Sequence, residues 1–469
     1  MSKRLPVTPA PGPLESFAVA FDSLFSKRSQ RDAFRQYLAN LLLPTERNKT
    51  LTALANTEPI VGAHHPRAQK LQWFLSESTW DAKQVNQCRL LLLRADLSTA
   101  PTATGVLVID ETGDRKAGTK TAHVGRQYLA NLGKIDNGVV SVTSLWADER
   151  LYYPLDVEPY TPAHWFDQGK TDPEFRTKPQ IALELVEQAV TAGIPFRAVV
   201  ADSLYGEHDG FRSGLHKLKL GFVLALKPSH AWWHPADELG SLQDIAAAAS
   251  WQGAEQPGPW VAITRSFRDG HTEIWWALEV TAGPFGSSKL HRAVVVTTEP
   301  MTLPEASTWY LISNLPLPGS ERAKTAGIRA ASVEEIVHVY GLRMWVEQSY
   351  KQVKGALGWA EYQVRSDPAI QRHWTLVCCA FTFCWWHASH VTASARLSDT
   401  DTEPVEPAEI PNNPSAEKKN GQLGTPASAC LVASRIAAGS RLVGALDDDR
   451  TVLARVVDAA TARRSAPVA

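Results

Sequence analysis

Two short apolar runs that each close on an aspartate constrain the fold of this chain more than any other feature. They are GVLVID at 105–110 and RAVVAD at 197–202. Runs of this length, rich in β-branched residues, predict buried strands. Between them, Thr177 and Gln180 form a capping box that predicts the start of a helix, and Gly193 predicts its end. The chain therefore alternates strand and helix in this region.

The order of the predicted elements indicates the fold class. After GVLVID, the runs GVVSVTSLWAD and ERLYYPLDVE predict two more strands. The helix and RAVVAD follow, then the strand FVLALK and, much later, a long helix. Three consecutive strands, a helix, another strand and a later helix predict an α/β fold of the ribonuclease-H-like kind, a mixed sheet flanked by helices.

Asp110 and Asp202 are the aspartates that close the two strands. An acid at that position faces the space beyond the sheet edge, where α/β proteins bind ligands and metals. A single aspartate there more often forms a turn or caps a helix. Two of them in one domain favour a shared site.

A third acid lies on a helix predicted near residue 340. At offsets of 3, 4, 4 and 3, its sequence carries Tyr340, Arg343, Glu347, Lys351 and Lys354. These offsets place all five side chains on one helix face, and Ser332 with Glu335 predict the start of the helix. Such a face suits a metal-binding acid flanked by groups that bind phosphates. The alternative is a solvated face on which Glu347 pairs with its basic neighbours.

Three carboxylates supply the hard oxygen ligands that Mg²⁺ and Mn²⁺ prefer. Two such ions about 4 Å apart would activate a nucleophile and stabilise the leaving oxygen of a phosphodiester. Asp110, Asp202 and Glu347 are far apart in the sequence, so only tertiary folding can bring them together.

The charge distribution permits a nucleic-acid partner without requiring one. The formal net charge is −1, but the stretch 399–409 is acidic and holds neither Lys nor Arg, so the remainder is mildly basic. The cysteines show no metal-binding spacing and the first residues form no apolar leader, which predicts a reduced, cytoplasmic protein. The apolar stretch 374–390 is short for a membrane span and predicts a buried helix.

Several motifs resemble one protein family. Tyr340, Arg343, Glu347 and Lys354 match the Y-x2-R-x3-E-x6-K signature of DDE-type cut-and-paste insertion-sequence transposases. The stretch DETGDRKAGTKTAHVGRQYLANLGKIDNGVVSV resembles the family's first-acid region, and VVADSLYGE resembles its second. FLSESTWD is similar to the end of the N-terminal domain in one branch of the family. The resemblance covers roughly residues 16–395, with its motifs in the expected order.

The resemblance implies a metal site and a reaction. Asp110, Asp202 and Glu347 would be catalytic ligands of Mg²⁺, with Mn²⁺ as a substitute. The reaction would cut DNA at the ends of an insertion sequence and join the freed 3′-hydroxyl ends to target DNA. The partners would be duplex DNA, as terminal inverted repeats and as target, and further copies of the chain in the DNA complex, with no membrane. The protein would act in the bacterial cytosol, at the nucleoid.

The resemblance also implies DNA contacts. Tyr340, Arg343 and Lys354 would contact phosphates near the cleaved bond. The other basic candidates are Lys351, Arg115, Lys116 and Arg126. A tryptophan of the β-rich segment would stack on a flipped base, although a hydrophobic core also explains Trp232, Trp233, Trp275 and Trp276. Asp114 departs from the family, which often has an apolar residue at that position.

Composition and resemblance together predict the domain organisation. We expect a flexible arm at 1–14, a helical and possibly DNA-binding domain at 15–100, catalytic segments at 101–228 and 319–397, a β-rich and Trp-rich insertion at 229–318, a disordered acidic linker at 398–428 and a helical tail at 429–469. A solvated helix face explains the basic residues of 15–100 as well as DNA binding does. Two other functions stay open: a transposase-derived protein that binds DNA without cutting, and a metal-dependent nuclease without strand transfer.

Overall fold

The computed structural model describes residues 6–44, 48–57, 64–234, 238–267, 270–282 and 291–400. The predicted tail at 429–469, and the predicted linker from residue 401 onward, lie outside the described residues. The chain begins with the helices α1 (Pro13–Val19), α2 (Arg28–Leu42), α3 (Leu51–Leu54), α4 (Pro66–Ser76) and α5 (Ala82–Ala95).

The next part of the chain forms the α/β core. Its strands and helices are β1 (Val106–Arg115), β2 (Gly125–Leu129), β3 (Lys134–Ala147), β4 (Tyr152–Tyr160), α6 (Lys178–Thr191), β5 (Val199–Ala201), α7 (Ser203–Gly206), α8 (Asp209–Lys217) and β6 (Phe222–Ala225). The predicted capping box is present at the start of α6, where Thr177 and Gln180 each accept from the backbone of the other. Strand β2 was not predicted.

A β-rich segment follows, and four helices complete the described chain. The segment holds β7 (Ala231–His234), β8 (Glu238–Ser241), α9 (Leu242–Ala248), β9 (Val261–Ser266), β10 (Thr272–Ala282), β11 (His291–Thr297) and β12 (Thr308–Ser313). The helices are α10 (Glu321–Thr325), α11 (Val333–Gly341), α12 (Met344–Gly355) and α13 (Asp367–Thr400). Helix α13 thus extends past residue 397, where the catalytic segment was predicted to end.

One ten-stranded sheet organises the molecule. Its order is β2-β3-β1-β5-β6-β12-β11-β10-β9, with β4 paired to β3. Strand β5 is parallel to both β1 and β6, and the other pairs are antiparallel, so the sheet is mixed as predicted. Strand β12 pairs directly with β6. The β-rich segment at 229–318 therefore extends the catalytic sheet, and only β7 and β8 form a separate two-stranded sheet.

The N-terminal helices share a core with α13. The side chains of Trp374, Val377 and Cys379 in α13 are fully buried, which agrees with the buried helix predicted at 374–390. The Tyr37 hydroxyl on α2 lies 2.8 Å from Nδ1 of His373 on α13. No helix within the described ranges is long and apolar enough to cross a membrane.

Parts of the N-terminal region are packed more closely than the sequence suggested. Of the arm predicted to be flexible at 1–14, residues 1–5 lie outside the described residues, whereas Ala10 and Leu14 are buried and the amide of Ala10 donates to Glu15. Basic residues of the helices also serve the fold: Arg35 is buried and pairs with Glu15 and Asp22 at 2.8 and 2.6 Å. Lys49 is buried against the carbonyls of residues 41 and 43. These two cations cannot form a DNA-binding surface.

Arg89 links the N-terminal helices to the sheet. It lies on α5, is fully buried, and donates to the carbonyls of Pro154 and Leu155 on β4 at 2.8 and 2.7 Å. It also donates to Asn86 on α5 and to Thr382 on α13. One guanidinium thereby satisfies buried acceptors on three elements.

We expect Arg89→Ala to lower the free energy of unfolding by about 3 kcal/mol, because it leaves buried carbonyls without donors. Chemical denaturation monitored by tryptophan fluorescence measures this change. Arg94→Ala is the matched control, since Arg94 is exposed on the same helix and donates to one carbonyl, that of Ala192. Equal stability losses in the two variants would contradict the role assigned to Arg89.

Candidate active site

Asp110 and Asp202 occupy neighbouring positions on adjacent strands. The parallel register pairs Ile109 with Ala201, and an aspartate follows each of them: Asp110 within β1 and Asp202 directly after the end of β5. Asp110 does not end its strand, as the sequence had suggested, because β1 continues to Arg115 along β3. The parallel neighbour of β1, strand β5, ends at Ala201, whereas the antiparallel neighbour β3 continues beside β1. The two acids therefore lie together where β5 stops and the sheet opens.

Asp202 has a structural role as well. It is the N-cap of α7, and its Oδ1 accepts from the backbone amide of Leu204 at 3.0 Å. The helix-cap interpretation of this aspartate is therefore correct, but it does not exclude a second role. The cap bond fixes the carboxylate beside Asp110.

The helix predicted near residue 340 consists of two helices. Ser332 caps α11 as expected, but α11 ends at Gly341 and α12 starts at Met344. Between them, the amide of Arg343 bonds the carbonyl of Tyr340 at 3.0 Å, a tighter turn than that of an α-helix. Tyr340 therefore belongs to α11, whereas Glu347, Lys351 and Lys354 belong to α12.

Helix α12 is fixed to β1 by an ion pair at each end. Arg343, at its N-cap, donates from Nη2 to Oδ2 of Asp110 at 2.9 Å. Lys354, in its last turn, lies 2.7 Å from Oδ1 of Asp114 and donates to the carbonyl of Gly113 at 3.0 Å. Asp110 and Asp114 share one side of β1, since side chains alternate along a strand. Asp114, a departure from the family pattern, is thus the partner of a signature residue.

Between these ends, aromatic residues hold α12 on the sheet. Trp345 stacks on Tyr152 of β4 with a centroid distance of 4.7 Å and an interplanar angle of 13°. The hydroxyl of Tyr350 lies 2.5 Å from Oγ1 of Thr143 on β3. These contacts define the rotation of α12, and with it the direction in which Glu347 projects.

Glu347 lies one turn along α12 from Arg343. Its side chain is 65% exposed, and its Oε1 lies 3.5 Å from Nη1 of Arg343. Arg343 therefore bridges the carboxylates of Asp110 and Glu347. Within the described residues, no three Asp, Glu, His or Cys side chains are close enough to hold a metal ion. The arginine charge lies between two of the acids that were predicted to share a metal.

The composition of this site fits a divalent cation. Asp110, Asp202 and Glu347 offer hard oxygen ligands, and the guanidinium of Arg343 shows that positive charge is accommodated between two of them. The Nε of Arg343 is buried and has no hydrogen-bond partner in the described part of the chain. This buried N–H group could therefore donate a hydrogen bond to an acceptor on a bound substrate.

Burial dominates the electrostatics of Asp110. It raises the pKa of this carboxyl to about 7, while Arg343 lowers the pKa and Asp202 raises it further. Burial likewise raises the pKa of Tyr340 to about 12. The phenol of Tyr340 stays protonated at neutral pH and can donate a hydrogen bond, whereas Asp110 is poised between its two protonation states.

The basic candidates differ in exposure. Arg115, Arg126 and Lys351 are exposed, and Arg115 pairs with Asp136 at 3.4 Å. Lys116 was predicted to bind DNA, but its ammonium donates to the carbonyls of Ala360 and Tyr362 and lies 3.4 Å from the centre of the Tyr362 ring. Burial lowers the pKa of Lys116 to about 8. Lys116 fixes the basic loop and does not contribute a free cation.

The tryptophan candidates divide in the same way. Trp275 is 5% exposed, and Trp276 packs edge-on against Trp251 at 4.6 Å. The hydrophobic-core interpretation therefore holds for these two residues. The side chains of Trp232 and Trp233 lie outside the described residues.

The fold and the paired aspartates define an α/β protein of the ribonuclease-H-like class. The family model for DDE superfamily endonucleases matches residues 20–257, which include Asp110 and Asp202. The probable transposase for insertion sequence element IS701 from Microchaete diplosiphon is 33% identical over 367 residues, covering 78% of this chain and 85% of that protein. The chain belongs to the DDE-type insertion-sequence transposases. This confirms the resemblance drawn from the sequence motifs.

We expect Asp110→Asn to melt a few degrees above the unmodified protein at about pH 8. The folded pKa of about 7 exceeds the ordinary value of 3.8, so ionisation of Asp110 lowers stability above neutral pH. Because the unfolded chain loses this proton near pH 4 and the folded protein only near pH 7, the gain shrinks as the pH falls and disappears towards about pH 4. Thermal melts across this pH range test it, with the exposed Asp167→Asn as control. A lower melting temperature of Asp110→Asn at the higher pH would contradict this account.

Asp114→Asn should lower the free energy of unfolding by about 2–4 kcal/mol, because Asp114 is 3% exposed and its loss leaves the partly buried ammonium of Lys354 unpaired. The double variant Asp114→Asn/Lys354→Met should recover part of that loss, since it removes the unpaired charge. Denaturant titrations of Asp114→Asn, Lys354→Met and the double variant measure the coupling. Strictly additive losses would show that the pair does not anchor α12.

Proposed function

We propose that this protein is a DNA transposase that cuts DNA at the ends of an insertion sequence and joins the 3′-hydroxyl ends to target DNA. The observation that carries the proposal is the pairing of Asp110 with Asp202 at the open end of β5, facing the helix that bears Glu347. The resemblance and the relative's name support the same reaction.

Asp110, Asp202 and Glu347 would hold divalent metal, Mg²⁺ in the cell, and Arg343 would turn away from these acids to allow it. Metal bound there would activate the attacking hydroxyl and stabilise the leaving oxygen of the phosphodiester. Asp110 must lose its proton to serve as a ligand, and its raised pKa makes that step dependent on pH near neutrality.

Cationic and hydroxyl groups beside the acids would orient the DNA. Arg343, once released, offers a planar fork for phosphate oxygens, and its Nε already lacks an acceptor. The protonated phenol of Tyr340 can donate to a neighbouring phosphate. Lys354 contributes by anchoring α12 through Asp114 and by adding positive charge near the strand. Arg115, Arg126 and Lys351 extend the cationic surface.

The reaction needs two DNA ends held together, so we propose that the active form is an oligomer of this chain on DNA. Its place of action would be the bacterial nucleoid. A binding protein without cleavage, and a nuclease without strand transfer, are the rival functions.

The unmodified protein should nick a duplex carrying the inverted repeat that flanks its gene when Mn²⁺ or Mg²⁺ is present. Glu347→Gln should lose at least about a hundredfold in rate, since it removes one acid of the site. Glu321→Gln on the exposed α10 is the control and should nick normally. Denaturing gels of end-labelled DNA measure the rates.

The rival functions predict different products in this assay. Binding without any nicking by the unmodified protein would favour the non-cutting rival. Nicking without strand-transfer products from a pre-cut end with a 3′-hydroxyl would favour the simple nuclease.

A further inference from the structure

Arg265, on β9, lies in an aromatic cluster formed by Phe267, Trp275 and Trp309. Its guanidinium carbon is 4.9, 4.2 and 4.3 Å from the centres of these three rings. The rings of Trp275 and Trp309 are themselves 4.9 Å apart, so the guanidinium lies over the junction of the two indoles. An arginine held in this way keeps one planar orientation.

The cluster reaches the catalytic helices. The ring of Trp309 packs edge-on against Tyr340 at 5.1 Å. Nη2 of Arg265 lies 3.5 Å from the position that a side-chain carbon would take on Gly341. Gly341 directly follows Tyr340 and stands two residues before Arg343. Arg265 is therefore a cation from the β-rich segment placed beside the junction of α11 and α12.

The ring contacts do not use the N–H groups of this arginine. Its cross-strand partner is Glu273, whose carboxylate accepts from Nε1 of Trp275 at 2.8 Å and lies 3.4 Å from Nε2 of His271. Among the described residues, no side chain or carbonyl forms an ion pair or hydrogen bond with Arg265. Burial lowers its pKa to about 10, which leaves the guanidinium charged at neutral pH.

We propose that Arg265 binds a backbone phosphate of the DNA strand next to the bond that is cut, a proposal that rests on the proposed function. The aromatic rings hold one side of the guanidinium, and the N–H edge is the part suited to phosphate oxygens. Arg265 lies near Tyr340 and Arg343, which are the proposed phosphate-binding groups on the catalytic helices. It would add a phosphate-binding cation from the β-rich segment to these two groups. The ring contacts fix the orientation of the guanidinium and therefore the direction in which its N–H groups point.

The alternative role is purely structural, with Arg265 filling space over the indoles. Arg265→Met separates the two roles, because methionine keeps apolar contact with the rings and removes the charge. We would measure binding of a fluorescein-labelled duplex from the flanking inverted repeat, by anisotropy over a range of salt concentrations and with metal chelated. Thermal melts of each variant accompany the binding data, and Arg150→Met, a surface change at the turn after β3, is the control.

Arg265→Met should weaken DNA binding by about tenfold and reduce the slope of log affinity against log salt by about one, since one phosphate contact is lost. Its melting temperature should stay close to that of the unmodified protein. Unchanged affinity and slope would overturn the proposal. If Arg265→Met does not fold, Arg265→Lys decides: weaker binding with the original slope supports a phosphate-binding fork, and unchanged affinity overturns it. Failure of the unmodified protein to prefer the repeat over a scrambled duplex would instead count against the proposed function.

Discussion

The ion pairs between α12 and β1 are the constraint on which the rest of the site depends. Arg343 and Lys354 hold the two ends of the helix against Asp110 and Asp114, which lie on one side of a single strand. A strand is rigid over this span, so the helix cannot slide or rotate without breaking a partly buried pair. The position of Glu347 relative to the paired aspartates is therefore set by contacts that do not involve Glu347 itself.

The same arrangement explains why a site with several acids can fold. Asp110 is buried beside Asp202, and both burial and the neighbouring carboxylate disfavour ionisation of Asp110. Arg343 supplies a positive charge that favours the ionised form of Asp110. The raised pKa means that Asp110 can also take up a proton near neutral pH, which removes its repulsion with Asp202. A divalent cation bound at these acids would replace the positive charge that the arginine provides.

The sequence predicted the elements that carry the three acids, and the limits of that prediction are physical. Apolar runs, capping residues and helix offsets are local properties, so the strand with Asp110, the end of the strand before Asp202, the helix with Glu347 and the start of α6 could be predicted, whereas the continuation of β1 past Asp110 could not. Pairing between distant strands is not local, and the extension of the sheet by β12 against β6 had no sequence signal. The break after Gly341 was missed because the helical offsets of the signature residues continue through it, and Leu342 and Arg343 indeed keep helical torsion angles. Lys116 was misassigned because a basic loop gives no sign of which ammonium turns inward. Asp114 had a usable signal in its spacing of four from Asp110 along a strand.

The turn between α11 and α12 brings two signature residues to different parts of the sheet. Tyr340 and Arg343 are three residues apart, a spacing at which side chains eclipse in a tight turn of this kind. Tyr340 nevertheless packs against Trp309 of the extended sheet while Arg343 reaches Asp110 on β1. The junction thus touches both halves of the ten-stranded sheet, β1 on one side and β12 on the other. A DNA strand laid across the junction would meet groups from both halves at once.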